Sequence, residues 1–368
     1  MTTIKLLIQT KTEKYPIIIG SHLINNLNFY LNKNSIIFDK CLLIIDNNVP
    51  VSFISKITKS LKKKKIYKFK FKASEKNKNI NNVNKILQIL LDKNFSRQDC
   101  VITIGGGITG DVGGFVSNLY KRGLSFVNVP TTLLSQVDSS IGGKTGVNTK
   151  EGKNLIGSFY QPKMVISDIQ FLKSLPKREI ICGYGEILKH SLILNKKFFS
   201  FINSNSEKIF NLKSPFIEKA IFESCKIKKT VVEKDEKEKG LRKILNFGHT
   251  FAHAFEATLG YSNKLNHGEA VILGIVTALK FSLNSKLISR ENYNTILNHI
   301  RDNKLPSNIK DYFSNKDLNK ILKFMSKDKK NFSKNINLIL LKRTGLSVIN
   351  KEYNKLKIRD FLKKELIN

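Results

Sequence analysis

Residues 100–120, CVITIGGGITGDVGGFVSNLY, predict a buried strand, a glycine-rich turn and a helix in direct succession. The apolar run Cys100–Ile104 is typical of a strand, and the segment VGGFVSNLY is compatible with a helix. A glycine turn between the two lets the backbone approach a pyrophosphate and points amide N–H groups at it. Strand, turn and helix form the repeating unit of α/β folds. An α/β fold is therefore expected for the first half of the chain.

Further β-rich runs surround this stretch: IKLLIQ, YPIIIG, CLLIID, IYKFKF, LSFVNVP and MVISD. Helical patterns separate several of them, for example residues 81–94. The alternation predicts a mostly parallel, Rossmann-like sheet domain over residues 1–176, with the first two runs pairing as a hairpin at its edge. Strand signals nearly vanish from about residue 175, so residues 177–368 are expected to form a mainly helical, metal-binding domain.

The composition is strongly basic, but its pattern argues against a nucleic-acid partner. The 64 Lys and Arg residues exceed the 29 Asp and Glu residues, and the formal net charge of the 368 residues is +35. The lysines are spread along the whole chain, there is no Trp, and no nucleic-acid-binding motif occurs. The basic residues are therefore expected on solvated positions, with no role in binding DNA or RNA.

Cysteine usage and hydropathy predict a cytoplasmic protein without a membrane segment. The four cysteines form no CxxC pair, which suits a reducing compartment. The N-terminal residues carry no apolar segment followed by a small-residue cleavage site. The longest apolar stretch, Ala270–Leu279, has about half the length needed to span a bilayer.

The glycine turn matches a dinucleotide-binding pattern only in part. Gly105, Gly107 and Gly110 satisfy GxGxxG, but the match lies beyond residue 100 and no acidic residue follows about twenty positions later to bind ribose. Asp46, which ends the run CLLIID, is the alternative acidic candidate. A tight turn that binds no ligand remains the competing interpretation.

Two polar segments follow the predicted strand LSFVNVP, where open α/β sheets place their ligands. They are VPTTLLSQVDSSIGGKTGVN at 129–148 and EGKNLIGSFYQP at 151–162. Asp138, Lys144 and Asn154 are candidates to orient a polyhydroxylated substrate, and Lys153 is a further donor next to glycine. Arg122 offers a guanidinium fork suited to phosphate or carboxylate.

Three segments of the second half predict an open metal site. They are GYGEILKH at 183–190, LNFGHTFAHAFE at 245–256 and NHGEAV at 266–271, and they supply Glu186, His249 and His267. Two histidines and one carboxylate fill three positions around zinc and leave a fourth for water or substrate, which is typical of catalytic sites. Any one histidine, taken alone, is more simply interpreted as a solvated or core residue. The clustering of the histidines in these segments favours a common function.

Cationic residues near these segments predict an anionic substrate. Lys189 lies one helical turn after Glu186, and Lys228, Arg242 and Asn246 precede His249. His253 stands four residues after His249, so both point from one face of a helix. A metal at this site would polarise an alcohol or carbonyl oxygen beside a nicotinamide.

The quoted segments resemble those of the 3-dehydroquinate synthase family. The resemblance runs from YPIIIG to the DKK and INLILL segments near 328–341, and it is most specific in VPTTLLSQVDSSIGGKTGVN, GKNLIGSFYQP, LNFGHTFAHAFE and HGEAV. Other sugar-phosphate cyclases and the metal-dependent glycerol dehydrogenases share the architecture and the metal triad but resemble these segments less. They remain the alternatives, together with a basic nucleic-acid-binding module.

The resemblance implies a reaction of the shikimate pathway of aromatic amino acid and chorismate biosynthesis. The substrate, 3-deoxy-D-arabino-heptulosonate 7-phosphate, is oxidised by NAD, loses phosphate, is reduced again by the same NADH, and closes to a ring by an intramolecular aldol reaction. The implied cofactors are NAD and Zn²⁺ or Co²⁺, and the implied assembly is a homodimer. The metal ligands would be Glu186, His249 and His267.

The resemblance also assigns the remaining site residues. The substrate would meet Arg122 from across the dimer interface, one of Lys329 or Lys330, and Asp138, Lys144, Asn154, Lys189, Lys228, Arg242, Asn246 and His253. The NAD site would include Asp46, Glu75, Lys78, Gly107, Ile108, Thr109, Gly110, Asp111, Thr131, Thr132, Lys144, Lys153, Phe171, Leu172, Lys173 and Ser174. One departure concerns KASEKNK, where Ala73 replaces the acidic residue usual in the family, so that the adenosine half of the NAD site is expected to bind more weakly.

Overall fold

The computed structural model describes residues 3–326 and 335–367, so the candidates Lys329 and Lys330 lie outside the described residues. The chain forms two compact units. The first unit contains Met1–Ile180 and Ile221–Lys237, and the second contains Ile181–Ala220 and Glu238–Asn368. The domain boundary at 176/177 stays a prediction.

The first unit is built on a seven-stranded sheet with the order β1-β2-β9-β6-β5-β3-β4. The strands of this unit are β1 Ile4–Gln9, β2 Lys14–Gly20, β3 Lys40–Asp46, β4 Lys65–Phe71, β5 Cys100–Gly105, β6 Ser125–Pro130, β7 Lys144–Thr149, β8 Gly152–Phe159 and β9 Met164–Asp168. Its helices are α1 Leu27–Lys33, α2 Val51–Ser60, α3 Ile80–Asp92 and α4 Gly107–Leu119. Within the sheet, only the edge strand β1 pairs antiparallel, with β2. The predicted parallel sheet with an edge hairpin is confirmed.

The central strands are apolar on both sides because helices cover both faces of the sheet. In β3, Leu43 and Ile45 join one buried cluster, whereas Leu42 and Ile44 join the other. Successive side chains of a strand point to opposite faces, so a continuous apolar run such as CLLIID is buried on both sides. Helix α3 packs Val83, Ile86 and Leu90 against the second cluster. It begins where the Asn79 side chain accepts a hydrogen bond from the Asn82 amide.

A second hairpin, β7–β8, was not anticipated from the sequence. Its strands pair antiparallel outside the main sheet, from Lys144 opposite Phe159 to Thr149 opposite Gly152. The segment is rich in Gly, Thr, Ser and Asn, which weakens strand propensity and favoured the interpretation as loops. Strand β7 packs against α4, where a Cβ on Gly114 would lie 2.5 Å from Thr145 Cγ2. Contact with a helix gives this glycine-rich hairpin its support.

The second half is mainly helical, as predicted, but it also contains a hairpin. Its elements are α5 Lys177–Leu194, α6 Lys196–Phe210, α7 Phe216–Lys234, α8 His249–Thr258, α9 His267–Asn284, α10 Arg290–Asp302, α11 Leu318–Ser326, β10 Asn335–Arg343, β11 Leu346–Asn354 and α12 Lys355–Ile367. The expectation that strand signals nearly vanish after residue 175 was wrong for β10 and β11. The two strands form an antiparallel hairpin around Thr344 and Gly345, and the polar strand LSVINKEYN lacks the regular apolar alternation that would mark it in the sequence.

The four cysteines are free thiols in buried positions. Burial raises the pKa of the Cys41 thiol to about 12, with Lys64 and Asp99 as smaller influences. Such a thiol stays protonated and unreactive at neutral pH. Among the described residues, no helix combines the length and apolar character that crossing a bilayer requires.

Candidate active site

Glu186, His249 and His267 come together in the second unit. Their ligand atoms all lie within 4.8 Å of one another. Glu186 Oε1 is 3.4 Å from His249 Nε2 and 3.9 Å from His267 Nε2. Ligand bonds of about 2.0–2.1 Å in a tetrahedral zinc site place neighbouring ligand atoms about 3.4 Å apart. The three side chains therefore fit a divalent metal with little rearrangement.

The other nitrogen of each imidazole ring already faces an acceptor. His249 Nδ1 lies 3.2 Å from the carbonyl oxygen of Phe247, and His267 Nδ1 lies 3.2 Å from Glu256 Oε2. Partners of this kind orient metal-binding histidines and leave Nε2 for the metal. Glu256 was missed from the sequence, although LNFGHTFAHAFE contains it. No local sequence pattern marks Glu256 as a partner of His267.

Both histidines are the first residues of helices. The motif NHGE forms a capping box, in which Asn266 accepts from the Glu269 amide and Glu269 accepts from the Asn266 amide, each at 2.9 Å. This cap starts α9 at His267. Helix α8 starts at His249 after Gly248, whose φ of +78° is unfavourable for other residues. The positive ends of two helix dipoles thus lie near the Glu186 carboxylate.

Glycines beside the ligands allow the three helices to approach backbone to backbone. A Cβ on Gly268 would lie 2.1 Å from the carbonyl oxygen of Cys182 in α5. A Cβ on Gly274 would lie 2.2 Å from the carbonyl oxygen of Gly248, at the start of α8. Any larger residue would separate the helices and, with them, the ligands they carry.

The charges of the cluster are set by burial and by two neighbours. Lys189 forms a buried ion pair with Glu186 Oε2. Burial lowers the pKa of His249, and the positive charge of Lys189 lowers it further. Burial also opposes protonation of His267, but the hydrogen bond and charge of Glu256 outweigh it and raise that pKa. His249 is therefore held in the neutral form that binds metals.

Other predicted residues of the second unit lie in or after the short helical turn Leu241–Asn246. Arg242 is buried, and Asn246 Nδ2 donates to Glu238 Oε1 at 3.1 Å. His253 is exposed, with its ring 5.4 Å from that of His249 and 6.2 Å from that of His267. The structure thus groups His253 with the metal ligands. Glu238 was missed because its positive φ places it in a turn that the sequence does not mark.

In the first unit, the glycine turn lies at the carboxyl end of β5, with Gly106 preceding α4. A Cβ on Gly105 would lie 2.6 Å from Thr109 Oγ1, and one on Gly107 would lie 2.8 Å from Ser139 Oγ. Packing alone therefore requires these two glycines. The N–H groups at the start of α4 remain suited to an anion such as pyrophosphate.

Beside this turn, six polar residues form a connected network, in which the Asn154 amide donates to Asn148 Oδ1 at 3.0 Å. Lys78 Nζ is 2.5 Å from Asp111 Oδ2 and 2.6 Å from Asn154 Oδ1. Glu75 binds Lys153 Nζ at 3.0 Å and Asn148 Nδ2 at 2.8 Å. Burial raises the pKa of Asp111, and Lys78 opposes that rise. The structure brings together four predicted NAD-site residues, Glu75, Lys78, Asp111 and Lys153, with Asn154, which was predicted to meet the substrate. Asn148 was not anticipated.

The remaining candidates of the first unit fall into three groups. Asp46 ends β3 next to Gly105, and Thr131 and Thr132 follow β6, at the same edge of the sheet as the glycine turn. Asp138 and Lys228 form an ion pair at 2.7 Å. Arg122 and Lys144 are exposed, and Ile108 and Gly110 lie in the first turn of α4.

For three residues of the predicted NAD site, the structure limits which atoms a ligand can contact. The side chains of Phe171 and Leu172 are buried in the core, where Phe171 packs on Phe53 at 4.6 Å between ring centroids. The Thr109 side chain is also fully buried. A ligand can meet these three residues only through their backbone. Lys173 and Ser174, in contrast, are accessible at the end of the same turn.

The chain matches known proteins over its whole length. Residues 68–182 match the family model for 3-dehydroquinate synthase N-terminal, and residues 183–331 match that for 3-dehydroquinate synthase C-terminal. The 3-dehydroquinate synthase of Pelagibacter ubique (strain HTCC1062) is 61% identical over 366 residues, which cover 100% of both chains. The chain belongs to the 3-dehydroquinate synthase family. Its activity is therefore that of a phosphate-eliminating lyase, as the resemblance implied.

Solved structures of related cyclases share the fold of this 3-dehydroquinate synthase family member. A 2-deoxy-scyllo-inosose synthase complexed with carbaglucose-6-phosphate, NAD⁺ and Co²⁺ superposes with a TM-score of 0.87 at 25% identity, covering 98% of this chain and 100% of that one. A 2-epi-5-epi-valiolone synthase from Streptomyces hygroscopicus subsp. jinggangensis 5008, with NAD⁺ and Zn²⁺ bound, gives 0.85 at 21% identity, with 97% and 98% covered. The second likeness shows the fold alone.

Replacement of Glu256 by glutamine should weaken metal binding without removing a ligand. The amide keeps the size of the side chain but loses the charge that orients His267, and such changes typically cost about 10–100-fold in metal affinity. Competition with a metal chelator would measure the shift. Glu269→Gln, the same substitution at the helix cap of α9 and outside the metal triad, is the matched control. An unchanged affinity in Glu256→Gln would show that Glu256 does not orient the ligand.

Ala73→Asp should strengthen NAD binding. Ala73 packs at the margin of an apolar cluster, two residues before Glu75, and its methyl group cannot accept a hydrogen bond from ribose. A carboxylate there would add a charged acceptor, worth up to about tenfold in Kd. Fluorescence titration with NAD would measure the change, and Ala73→Asn would separate charge from size. Equal Kd values for the wild type and Ala73→Asp would refute the idea that the lost acid weakens the site.

Proposed function

We propose that this chain converts 3-deoxy-D-arabino-heptulosonate 7-phosphate to 3-dehydroquinate and phosphate, using NAD and one divalent metal ion, Zn²⁺ or Co²⁺. The observation that carries the proposal is the triad Glu186, His249 and His267, with both histidines oriented through Nδ1 and with Lys189 paired to the carboxylate. Family membership supplies the reaction, and the triad supplies a place for the metal.

The two cofactors would be held by different parts of the chain. The metal would be bound by Glu186, His249 and His267 and would polarise a substrate oxygen. NAD would lie on the first turn of α4. It would be surrounded by Asp46, the two threonines after β6 and the network that contains Glu75, Lys78 and Lys153. There it would accept and return one hydride. The cobalt, zinc and NAD⁺ in the related cyclases support this assignment by analogy.

The cationic residues would bind the two acidic groups of the substrate. Arg242 and Lys228 are both buried, and a buried guanidinium or ammonium group suits a carboxylate. Arg122 would bind the phosphate, and Lys144, Asn154, Asn246 and Asp138 would orient the hydroxyl groups. His253 is exposed beside the metal ligands and would move a proton during elimination or ring closure.

We further propose a cytoplasmic homodimer in which Arg122 serves the site of the other subunit, and two domains that divide at 176/177. The buried free thiols support a reducing compartment. The exposure of Arg122 supports its availability to a second chain.

Phosphate and NADH measurements separate the alternatives. With metal-loaded protein, catalytic NAD and the heptulosonate phosphate, a synthase releases phosphate without accumulating NADH. A glycerol-type dehydrogenase would accumulate NADH and release no phosphate, and it would have no use for Arg122, Lys228 and Arg242. A different cyclase would prefer another sugar phosphate. Failure to release phosphate from the heptulosonate would sink the proposal.

A further inference from the structure

Two carboxylates lie at the C-terminal end of α7, in the part of the chain that belongs to the first unit. Glu233 is in the last turn of α7, and Glu236 follows the helix by two residues. The C-terminal end of a helix carries a partial negative charge, so acidic side chains at this end cost stability unless other contacts offset that cost. The position of these two residues is therefore explained only by what they contact outside the helix.

Both carboxylates accept hydrogen bonds from the hairpin that opens the chain. Glu233 Oε1 accepts from the amide of Gln9, the last residue of β1, at 2.6 Å. In the β1–β2 turn, residues 10–13, the Lys11 amide donates to Glu236 Oε2 at 3.2 Å and the Thr12 hydroxyl donates to Glu236 Oε1 at 2.5 Å. The paired strands β1 and β2 fix the position of this turn. The end of α7 is thus bound to a rigid element of the sheet.

Glu236 also accepts a hydrogen bond from Gln161, which follows β8. Gln161 Nε2 donates to Glu236 Oε1 at 2.8 Å, and both residues are 7% exposed. Gln161 packs tightly against Gly143, where an added Cβ would lie 2.7 Å from Gln161 Cδ. Burial would raise the pKa of Glu236, but the hydrogen bonds from Thr12 and Gln161 outweigh burial and lower that pKa. Glu236 is therefore an ionised acceptor on which donors from two separate segments converge.

The same stretch of α7 carries Lys228, eight residues before Glu236. Lys228 Nζ lies 2.7 Å from the carbonyl oxygen of Asp138 and 2.7 Å from its Oδ1. Cys225 Sγ donates a weak hydrogen bond to the Gln136 carbonyl oxygen at 3.3 Å. Positions 225 and 228 thus contact the short helical turn Ser135–Ser139, whereas the two carboxylates contact the β1–β2 hairpin. Contacts at both ends of this stretch set the rotation of α7 and its position along its axis.

We propose that Glu236 is a positioning residue that holds Lys228 in the substrate site. The inference rests on the proposed function, in which Lys228 binds the substrate carboxylate. A carboxylate accepts from all three donors at once, whereas an amide in its place turns N–H groups toward N–H and O–H donors. Glu236→Gln should therefore release the end of α7 from the β1–β2 turn and let Lys228 move away from Asp138, with the size of the side chain preserved.

Chemical labelling measures the effect on Lys228 without any substrate. Lys228 is 5% exposed and Lys189, in the second unit, is 2% exposed, so acetic anhydride reaches either amine only when the surrounding structure opens. In Glu236→Gln, loss of charge-assisted hydrogen bonds should raise the labelling rate of Lys228 about tenfold or more and leave that of Lys189 unchanged. Glu13→Gln is the matched control, because Glu13 lies in the same turn but pairs with Lys163. Mass spectrometry of the peptides gives both rates.

Affinity for a substrate analogue tests whether the position of Lys228 matters for binding. The probe is the phosphonate in which CH₂ replaces the bridging ester oxygen of the heptulosonate phosphate, because it cannot lose phosphate. Calorimetric titration of metal- and NAD-loaded protein should give a Kd about tenfold weaker for Glu236→Gln and unchanged for Glu13→Gln. Lys228→Met should weaken binding by more than about tenfold. Adding Glu236→Gln to Lys228→Met should have no further effect, because both substitutions act through one ammonium group.

Faster labelling of Lys228 alone, with weaker binding that depends on Lys228, would support the inference. Labelling of Lys228 and Lys189 that rises together would overturn it, because the substitution would then act through global unfolding. Unchanged labelling of Lys228, unchanged affinity in Glu236→Gln, or additive losses in the double variant would also overturn it. If wild-type protein does not bind the phosphonate, the proposed function fails, while the labelling rates still decide whether Glu236 holds Lys228.

Discussion

Glu186→Ala is expected to abolish phosphate release, because it removes the only carboxylate of the metal triad. Loss of an orienting partner outside the ligand set already costs about 10–100-fold in metal affinity, and loss of a ligand should cost more. The variant also leaves Lys189 buried without its carboxylate partner, and breaking such a buried pair from one side typically costs about 3–5 kcal/mol of stability. The free energy of unfolding should therefore fall together with metal content.

A double variant separates these two effects. Glu186→Ala with Lys189→Met removes the isolated cation and should recover much of the stability in urea denaturation. Its metal affinity should not exceed that of Glu186→Ala alone. Metal content after dialysis and the unfolding midpoint are the two measurements. A Glu186→Ala protein that retains one metal ion per chain would refute the assignment of Glu186 as a ligand.

Gly268→Ala is expected to destabilise the second unit by about 3 kcal/mol or more and to reduce metal affinity. The added Cβ would lie 2.1 Å from the Cys182 carbonyl oxygen and 2.3 Å from Cys182 Cα, and these are backbone atoms that cannot rotate away. Helices α5 and α9 must then separate. Because α5 carries Glu186 and α9 begins at His267, the separation also pulls two ligands apart.

Gly240→Ala is the control for this substitution. A Cβ on Gly240 meets no atom within 4 Å, so the change should alter stability by no more than about 0.5 kcal/mol. Urea denaturation and chelator competition on both variants would test the argument. Gly268→Ala with wild-type stability and metal affinity would show that the close helix crossing does not position the ligands.

The fold class and the metal triad were accessible from the sequence because both leave local signals. Strands such as CLLIID are apolar throughout since both faces are covered, and NHGE carries its helix cap within four residues. The hairpin β7–β8 was not accessible in the same way. Its glycines and polar residues fit a strand only because α4 supports one side, which is a contact between distant parts of the sequence.

Residues that act through another side chain were the hardest to predict. Glu256 is recognisable only once its 3.2 Å contact with His267 Nδ1 is known. Glu238 is recognisable only through its contact with Asn246. Conversely, Phe171 and Leu172 were assigned to the NAD site by resemblance, and their side chains lie in the core. A motif locates a segment in a site, but packing decides which atoms of that segment are available.

The number of phosphate ions released per NAD distinguishes a recycled cofactor from a consumed one. We propose that one hydride leaves the substrate and returns within a single turnover, so that NAD is regenerated. Protein loaded with one metal ion and one NAD per chain, without further NAD in solution, should release many equivalents of phosphate while absorbance at the NADH band shows no net increase. Release that stops after one equivalent per NAD, with NADH accumulating in step, would show that the hydride does not return to the substrate.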